Sequence, residues 1–204
     1  MKEYVLLGGG GLALEIAEYM LAEGYSIRGY CSPQEDEVCS ALIPYIGDER
    51  EKCLKDAYYI IAVGMIALRN KLIGFLREND LYIGDFISSR AYVSSLASIG
   101  NGAVILPFSV ISGNPQIGDF LLANYFSNIA HHAKVGNNVV LNPGARINGN
   151  CSVGNNVTLG SNSSLIQGTC LENDVEVGIL TYPKKVVKGK QMVLAPSGKL
   201  LSLT

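Results

Sequence analysis

The chain contains two histidines, and they are adjacent: His131 and His132. Imidazole is the side chain best suited to take a proton near neutral pH, so the pair is the first candidate for a general base. A pair on a solvent-facing edge is the alternative. Eighteen residues beyond His131 stands Gly149, and the same step relates Asn124 to Asn142 and Ser161 to Ile179, on an edge that also carries Pro143. If the chain coils with that period, the step stacks one residue on the next at the ~4.8 Å spacing of paired strands. A missing side chain at Gly149, beside the only histidines, then predicts a slot for a reacting group.

A second chemistry-bearing segment lies near the start. Gly8-Gly9-Gly10-Gly11 follows Tyr4-Val5-Leu6-Leu7, and Gly8-x-Gly10-x-x-Ala13 fits a turn whose backbone N–H groups meet a phosphate at a helix N-terminus. A tight structural turn is the competing reading. Dinucleotide binding also wants an acidic residue after the second strand, where Tyr30 is followed by Cys31, Ser32 and Pro33, so NAD is not expected. A mononucleotide portion of a larger ligand fits, held by Gly10, Gly11 and the strand-end Gly64. Cys31, Cys39, Cys53, Cys151 and Cys170 are odd in number and contain no C-x-x-C, which points to reduced buried thiols rather than disulfides or zinc.

The elements that position these residues are legible in the spacing. Every sixth residue from Ile87 reads Ile87, Val93, Ile99, Ile105, Ile111, Ile117, Ala123, Ile129, Val135, Leu141, Ile147, Val153, Leu159, Leu165, Leu171 and Val177. A period of eighteen is superimposed, because Gly100, Gly118, Gly136 and Gly154 each follow one of these aliphatics and precede Asn101, Asp119, Asn137 and Asn155. One coil is therefore three hexapeptides, the signature of a parallel β-helix with aliphatics pointing inward and Gly or Asn at the corners. The repeat is read as ending after Val177.

Ahead of the coils, strands are expected at Tyr4 to Leu7, Ser26 to Tyr30, Tyr58 to Val63 and Leu81 to Ile83. Helices are expected at Leu12 to Leu21, Asp48 to Lys55 with Asp48 as N-cap, and Ile66 to Glu78. This alternation predicts a small α/β unit of Rossmann type with a parallel sheet. The expected division is residues 1–85 for that unit, 86–182 for the β-helix and 183–204 for a carboxy-terminal tail. In the tail, Lys184, Lys185, Lys188, Lys190 and Lys199 concentrate positive charge suited to phosphates, or simply to solvent.

A net charge of −2 gives no electrostatic reason to expect nucleic acid or an anionic membrane as partner. No run approaches the ~18 apolar residues of a membrane span, and the start lacks the features of a signal peptide, so a cytoplasmic protein is expected.

The glycine-rich start, Ile60-Ile61-Ala62-Val63-Gly64, the sixfold repeat, Asn124 seven residues before His131, and Asn142-Pro143-Gly144-Ala145 followed by Gly149-Asn150 together resemble a known family. It is the sialic acid O-acetyltransferase-like family of left-handed β-helix acyltransferases, which includes N-acetyltransferases acting on nucleotide-linked 4-amino sugars. The resemblance runs along essentially the whole chain. It implies a left-handed coil, where general crossover rules would favour the right hand. It also implies a homotrimer, acetyl-CoA bound between neighbouring β-helices with no metal, and a nucleotide sugar or sugar acid as acceptor.

By the same resemblance His131 is the catalytic base, with His132 and Asn124 beside it. Gly149, Ser161 and Ile179 border the acyl-CoA, and Gly10, Gly11, Leu12 and Gly64 form the nucleotide-binding turn. His132 stands where relatives of the bacillosamine type have a Glu, and Val140 where a second histidine often meets acetyl-CoA. Leu12 replaces a histidine of the glycine turn, and Ser32-Pro33 an acidic pair that reads the nucleotide. The implied chemistry is direct acetyl transfer to a sugar amine, with the Gly149 N–H as candidate donor to the thioester oxygen. Ala195-Pro196-Ser197-Gly198-Lys199 resembles the family's closing segment near the donor. O-acetylation of a sugar acid and a non-catalytic trimeric ligand-binding protein are the alternatives. A zinc enzyme on the same scaffold needs about three histidines per metal, which two adjacent ones do not supply. Cys151 as nucleophile has no adjacent base.

Overall fold

The computed structural model describes residues 2–183 and 185–194. Strand β1 (Glu3–Leu7) leads through the glycine turn into helix α1 (Gly11–Ala22). Then follow β2 (Ser26–Cys31), α2 (Glu37–Leu42), β3 (Tyr45–Gly47), β4 (Tyr58–Ile61), α3 (Ile66–Glu78) and β5 (Tyr82–Ile83). The strands form one parallel sheet in the order β3-β2-β1-β4-β5. The chain direction across the sheet reverses between β1 and β4, and the turns that follow these two strands face a common crevice at their carboxyl ends, where ligands of open parallel sheets bind.

From Phe86 the chain coils. Among the described residues it builds three parallel sheets of seven, five and six strands. The first face runs from Phe86–Ile87 to Met192–Val193, the second from Tyr92–Val93 to Ser164–Leu165, and the third from Ser98–Ile99 to Val186–Val187. Register is eighteen residues per coil, as where Asn128 and Ile129 pair with Arg146 and Ile147. The inward ladder forms one apolar core, with Ile105, Ile111, Ile129, Leu141, Ile147, Leu159 and Leu165 fully buried. Each such side chain contributes about 1.5–3 kcal/mol by leaving water.

The third-to-first corner shows why glycine and a short amide alternate. Asn137 Oδ1 accepts from the Asp119 N–H at 2.8 Å, and Asn155 Oδ1 accepts from the Asn137 N–H at 2.7 Å, one coil at a time. Successive turns approach so closely that a Cβ on Gly136 would lie 2.8 Å from the carbonyl of Gly154.

The α/β layer packs on the first face. Outward-pointing Phe86, Val104, Leu122 and Val140 are buried with Leu6, Ala13, Ile16 and Met20 in one cluster.

Three expectations are corrected. Ile87 is 39% exposed, because the first coil has no predecessor to cover it; its neighbour Phe86 is buried against the α/β layer instead. Asp48 to Lys55 makes no helix. Glu51 and Lys52 donate to the Asp48 carbonyl at 3.0 and 2.9 Å, and the Leu54 N–H then goes to the Tyr59 hydroxyl at 2.7 Å, ending the ladder after one turn. The helix of this region is α2, capped by Asp36, whose Oδ1 accepts from the Val38 and Cys39 N–H groups. Coiling also continues past Val177. Val186–Val187 pairs with Cys170–Leu171 and Met192–Val193 with Glu176–Val177, at a step of sixteen rather than eighteen. Pro183 stands at the second residue of what would be a further second-face strand, Tyr182 being the first, offers no N–H to the ladder, and the chain takes a shorter path.

Candidate active site

His131 and His132 sit on the second-to-third corner, both exposed. His132 turns the chain with φ +58°. Their rings lie nearly perpendicular, with centroids 5.2 Å apart, and Nδ1 of one is 3.0 Å from Nδ1 of the other. A single hydrogen bond between two Nδ1 atoms couples the tautomers: one ring carries its proton on Nδ1, and the other presents a lone pair there. When His131 is the donor, its Nε2 keeps a free lone pair and can accept a proton. When His132 is the donor, the His131 proton sits on Nε2 and that atom is no base. No carboxylate bonds to either ring among the described residues.

The slot expected at Gly149 is occupied by the His131 ring itself. A Cβ on Gly149 would lie 2.6 Å from His131 Nε2 and 2.9 Å from Nδ1. Gly113, one coil before and at φ +77°, would place a Cβ 2.7 Å from His131 Cβ. His131 is thus flanked above and below by positions that admit no side chain. Gly113 was recoverable by stepping eighteen residues backward from His131. The Gly149 N–H has no acceptor among the described residues, while the carbonyl accepts from Gly168 at 3.1 Å.

Asn124, Ser161 and Ile179 lie on the other edge of the second face, at the first-to-second corner, so one chain does not bring them to His131. Asn124 is 8% exposed, with Oδ1 accepting from the Tyr125 N–H at 2.8 Å and its carbonyl accepting from Ser109 Oγ at 2.9 Å. Ile179 is 66% exposed and Ser161 half-buried.

At the crevice of the α/β layer, the four glycines separate into two pairs. A Cβ on Gly8, at φ +125°, would lie 2.8 Å from the Ala62 carbonyl oxygen and from Val63 Cγ2, and one on Gly9 would meet the Tyr30 ring. Those two are required by packing. Gly10, Gly11 and Gly64 have nothing within 4 Å of a Cβ, so the space before them is open. Both α1 and α3 start without a side-chain cap and without an acidic residue in the first turn, so their first N–H groups have no side-chain partner there. Leu12 is half-buried and packs on the interlayer cluster. Val140 is 1% exposed in the same cluster, so its side chain belongs to that core and meets no open cleft. Ser32 Oγ is turned to the Gln34 carbonyl.

Sequence reasoning missed Arg69. Its side chain is fully buried on α3, and burial lowers its pKa to about 10. Cys151 is buried, and its Sγ donates to the Ile166 carbonyl at 3.3 Å. Burial, the largest influence on it, raises its pKa, which opposes a thiolate nucleophile. Among the described residues no cluster of three or more His, Cys, Asp or Glu is arranged to hold a metal, and no helix is long and apolar enough to cross a membrane. Lys188 is paired with Glu172 at 2.9 Å. Lys184 and the 195–199 segment, with Lys199, lie outside the described residues.

Residues 132–167 match the bacterial transferase hexapeptide (six repeats) family. No curated protein matches the chain by sequence. Among solved structures, the chain is similar to the acetyltransferase domain of PglB from Neisseria gonorrhoeae in complex with acetyl coenzyme A, at TM-score 0.85 and 20% identity over 94% of this chain and 95% of that one. It is also similar to PerB from Caulobacter crescentus in complex with CoA and GDP-perosamine, at TM-score 0.83 and 24% identity over 94% and 93%. WeeI from Acinetobacter baumannii gives TM-score 0.86 and 20% identity over 98% and 100%. These likenesses establish the fold. The hexapeptide match and the three parallel sheets fit a left-handed β-helix.

Proposed function

We propose that the chain is an acetyltransferase that moves the acetyl group of acetyl-CoA to the amino group of a nucleotide-linked amino sugar, with His131 as general base. The observation that carries this reading is the His131 ring, seated between Gly113 and Gly149 and hydrogen-bonded through Nδ1 to His132, which leaves Nε2 at the surface for a proton. Whole-chain likeness to proteins solved with acetyl coenzyme A, or with CoA and a nucleotide-linked sugar, supplies the substrate classes.

The acceptor nitrogen attacks the thioester carbonyl carbon while His131 Nε2 takes a proton from it. The C–N bond forms, the C–S bond breaks, and the thiolate departs with the electron pair and receives that proton. A positioned base contributes roughly 10²- to 10⁴-fold. In the working tautomer His132 accepts from His131 Nδ1, in the place of a carboxylate, and Nε2 is the base. The Gly149 N–H, without an acceptor among the described residues, is the donor assigned to the developing oxyanion.

The catalytic edge with His131 and the edge with Asn124, Ser161 and Ile179 bracket the second face, so the complete acetyl-CoA site forms where copies meet in a homotrimer. Exposed apolar side chains on and beside that face support the contact: Tyr92, Val110, Ile166, and Phe108 stacked on Phe126 at 5.2 Å. The α/β layer, with the Rossmann-type crevice at Gly10, Gly11, Leu12 and Gly64, holds the nucleotide. The test is thiol release from acetyl-CoA against nucleotide-linked amino sugars and free sugar acids. Turnover with one nucleotide-linked amine supports the reading. Turnover with a sugar acid alone replaces it with O-acetylation, and silence combined with no acetyl-CoA binding removes it.

A further inference from the structure

Arg69 breaks a local rule. It lies in the first turn of α3, where a cation opposes the helix dipole, and it is buried with no carboxylate partner among the described residues. An apolar residue of similar volume would avoid burying a charge but would leave three acceptors without their donor. What the guanidinium does that an apolar residue cannot is join three separate segments. Nη1 donates to the Val63 carbonyl at 2.9 Å, Nη2 to the Phe120 carbonyl at 2.6 Å, and Nε to Asn138 Oδ1 at 2.7 Å.

Val63 belongs to the turn that ends β4, next to Gly64 and in contact with the glycine turn after β1. Phe120 and Asn138 belong to the third-to-first corner of the coil. The bond to Asn138 also orients a series of amides. With Oδ1 committed to Arg69, Asn138 Nδ2 donates to Asn70 Oδ1 at 2.9 Å and to Asn156 Oδ1 at 3.1 Å, and Asn156 Nδ2 donates to Asp174 Oδ1 at 3.0 Å. Gly64, Met65, Asn70, Asn156 and Asp174 line a groove of about 500 Å³ between α3 and the coil.

We infer that Arg69 is a positioning residue: it clamps the Val63–Gly64 turn to the coil and thereby sets the geometry in which the crevice receives the nucleotide part of the acceptor. The inference rests on the acetyltransferase reading. A purely structural strut would lower the melting temperature and leave the two substrates equally affected.

The experiment compares wild type, Arg69→Met, Arg69→Lys and Asn138→Gly, the last keeping the positive φ of that position. Its readouts are KM for acceptor, KM for acetyl-CoA, kcat, melting temperature, and calorimetric binding of UDP and GDP as probes. Arg69→Met is expected to raise the acceptor KM at least about tenfold while kcat and the acetyl-CoA KM stay within about twofold. Arg69→Lys, which cannot reach three acceptors at once, shows the same split, and Asn138→Gly shows a smaller one in the event that Arg69→Met does not fold. If no acceptor is turned over by wild type, the acetyltransferase reading fails on its own, and tenfold weaker UDP or GDP binding by Arg69→Lys still supports the clamp. Unchanged acceptor KM and probe affinity in the folded variants, equal losses for both substrates, or a wild type that binds neither probe nor acceptor would overturn it.

Discussion

His131 and His132 meet Nδ1 to Nδ1 at 3.0 Å, with no carboxylate bonded to either ring among the described residues. Whichever ring donates decides whether His131 Nε2 is a base, so the second imidazole governs the first. Under the proposed function, His132 is the acceptor that keeps the His131 proton on Nδ1, at a corner His132 itself turns with positive φ.

Replacing His132 therefore separates an acceptor from a spectator. His132→Ala is expected to lower kcat roughly five- to tenfold, the worth of a lost neutral hydrogen bond of about 1 kcal/mol, with substrate KM values unchanged. His132→Glu and His132→Gln, which both offer an oxygen to His131 Nδ1, should retain activity. Steady-state kinetics of the three variants check this, and equal loss in all three would contradict it.

Gly149→Ala tests the seating of the base. The added methyl meets the His131 ring, whose Cε1, Nε2 and Nδ1 all lie within 2.9 Å of it, and the exposed ring can swing away without unpacking the coil. The expected result is a cooperative melt close to wild type with activity reduced about a hundredfold or more, within the range a positioned base contributes. An active Gly149→Ala would show that the ring position seen here is not the working one.

Inward and outward positions of a single coil should differ sharply in stability. Ile147→Ala removes a fully buried side chain from the stacked core and is expected to cost about 2–5 kcal/mol. Its exposed neighbour Arg146 should be replaceable by Ala at a cost within about 0.5 kcal/mol. Urea denaturation of both variants reads the difference directly.

Alkaline pH should weaken the α/β layer. Burial pushes the Cys31 thiol up from an ordinary value near 9 to about 12, with Glu49 adding to the shift. Burial likewise pushes the Tyr59 phenol up from 10 to about 12. Both groups stay protonated in the folded chain while the unfolded chain releases its protons first, so stability falls as pH rises from about 9 toward 12. Melting temperatures across that window should decline, and the decline should be shallower in Cys31→Ala. A flat profile would show that neither proton is linked to folding.

The coil was legible because burial in a stacked solenoid is a strictly local matter: each of Ile105, Ile111 and Ile117 faces the same axis, and the same six-residue step recurs whatever lies between. Ile87 escaped that reasoning because inwardness and burial coincide only when a neighbouring coil exists. Pro183 marks where the step shortens, and a rule tuned to period six stops there. In the α/β layer, α3 was readable from its apolar spacing, whereas α2 is six residues long and owes its existence to one cap at Asp36. Asp48 offers a similar cap, but Tyr59 takes the amide that the next turn needed. The candidate base was visible as the only histidine pair in the chain. Arg69 was not, because its three acceptors come from segments 6, 51 and 69 residues away, and no local pattern announces such a meeting.

The most direct test of the account is acetyl-CoA thiol release by His131→Asn beside wild type, with the acceptor that wild type uses and with acetyl-CoA binding measured in both. The account predicts turnover reduced at least about a hundredfold while acetyl-CoA affinity and melting temperature hold, because an exposed ring is lost from a corner and the core is untouched. Turnover by His131→Asn equal to wild type would contradict it and place the proton transfer elsewhere.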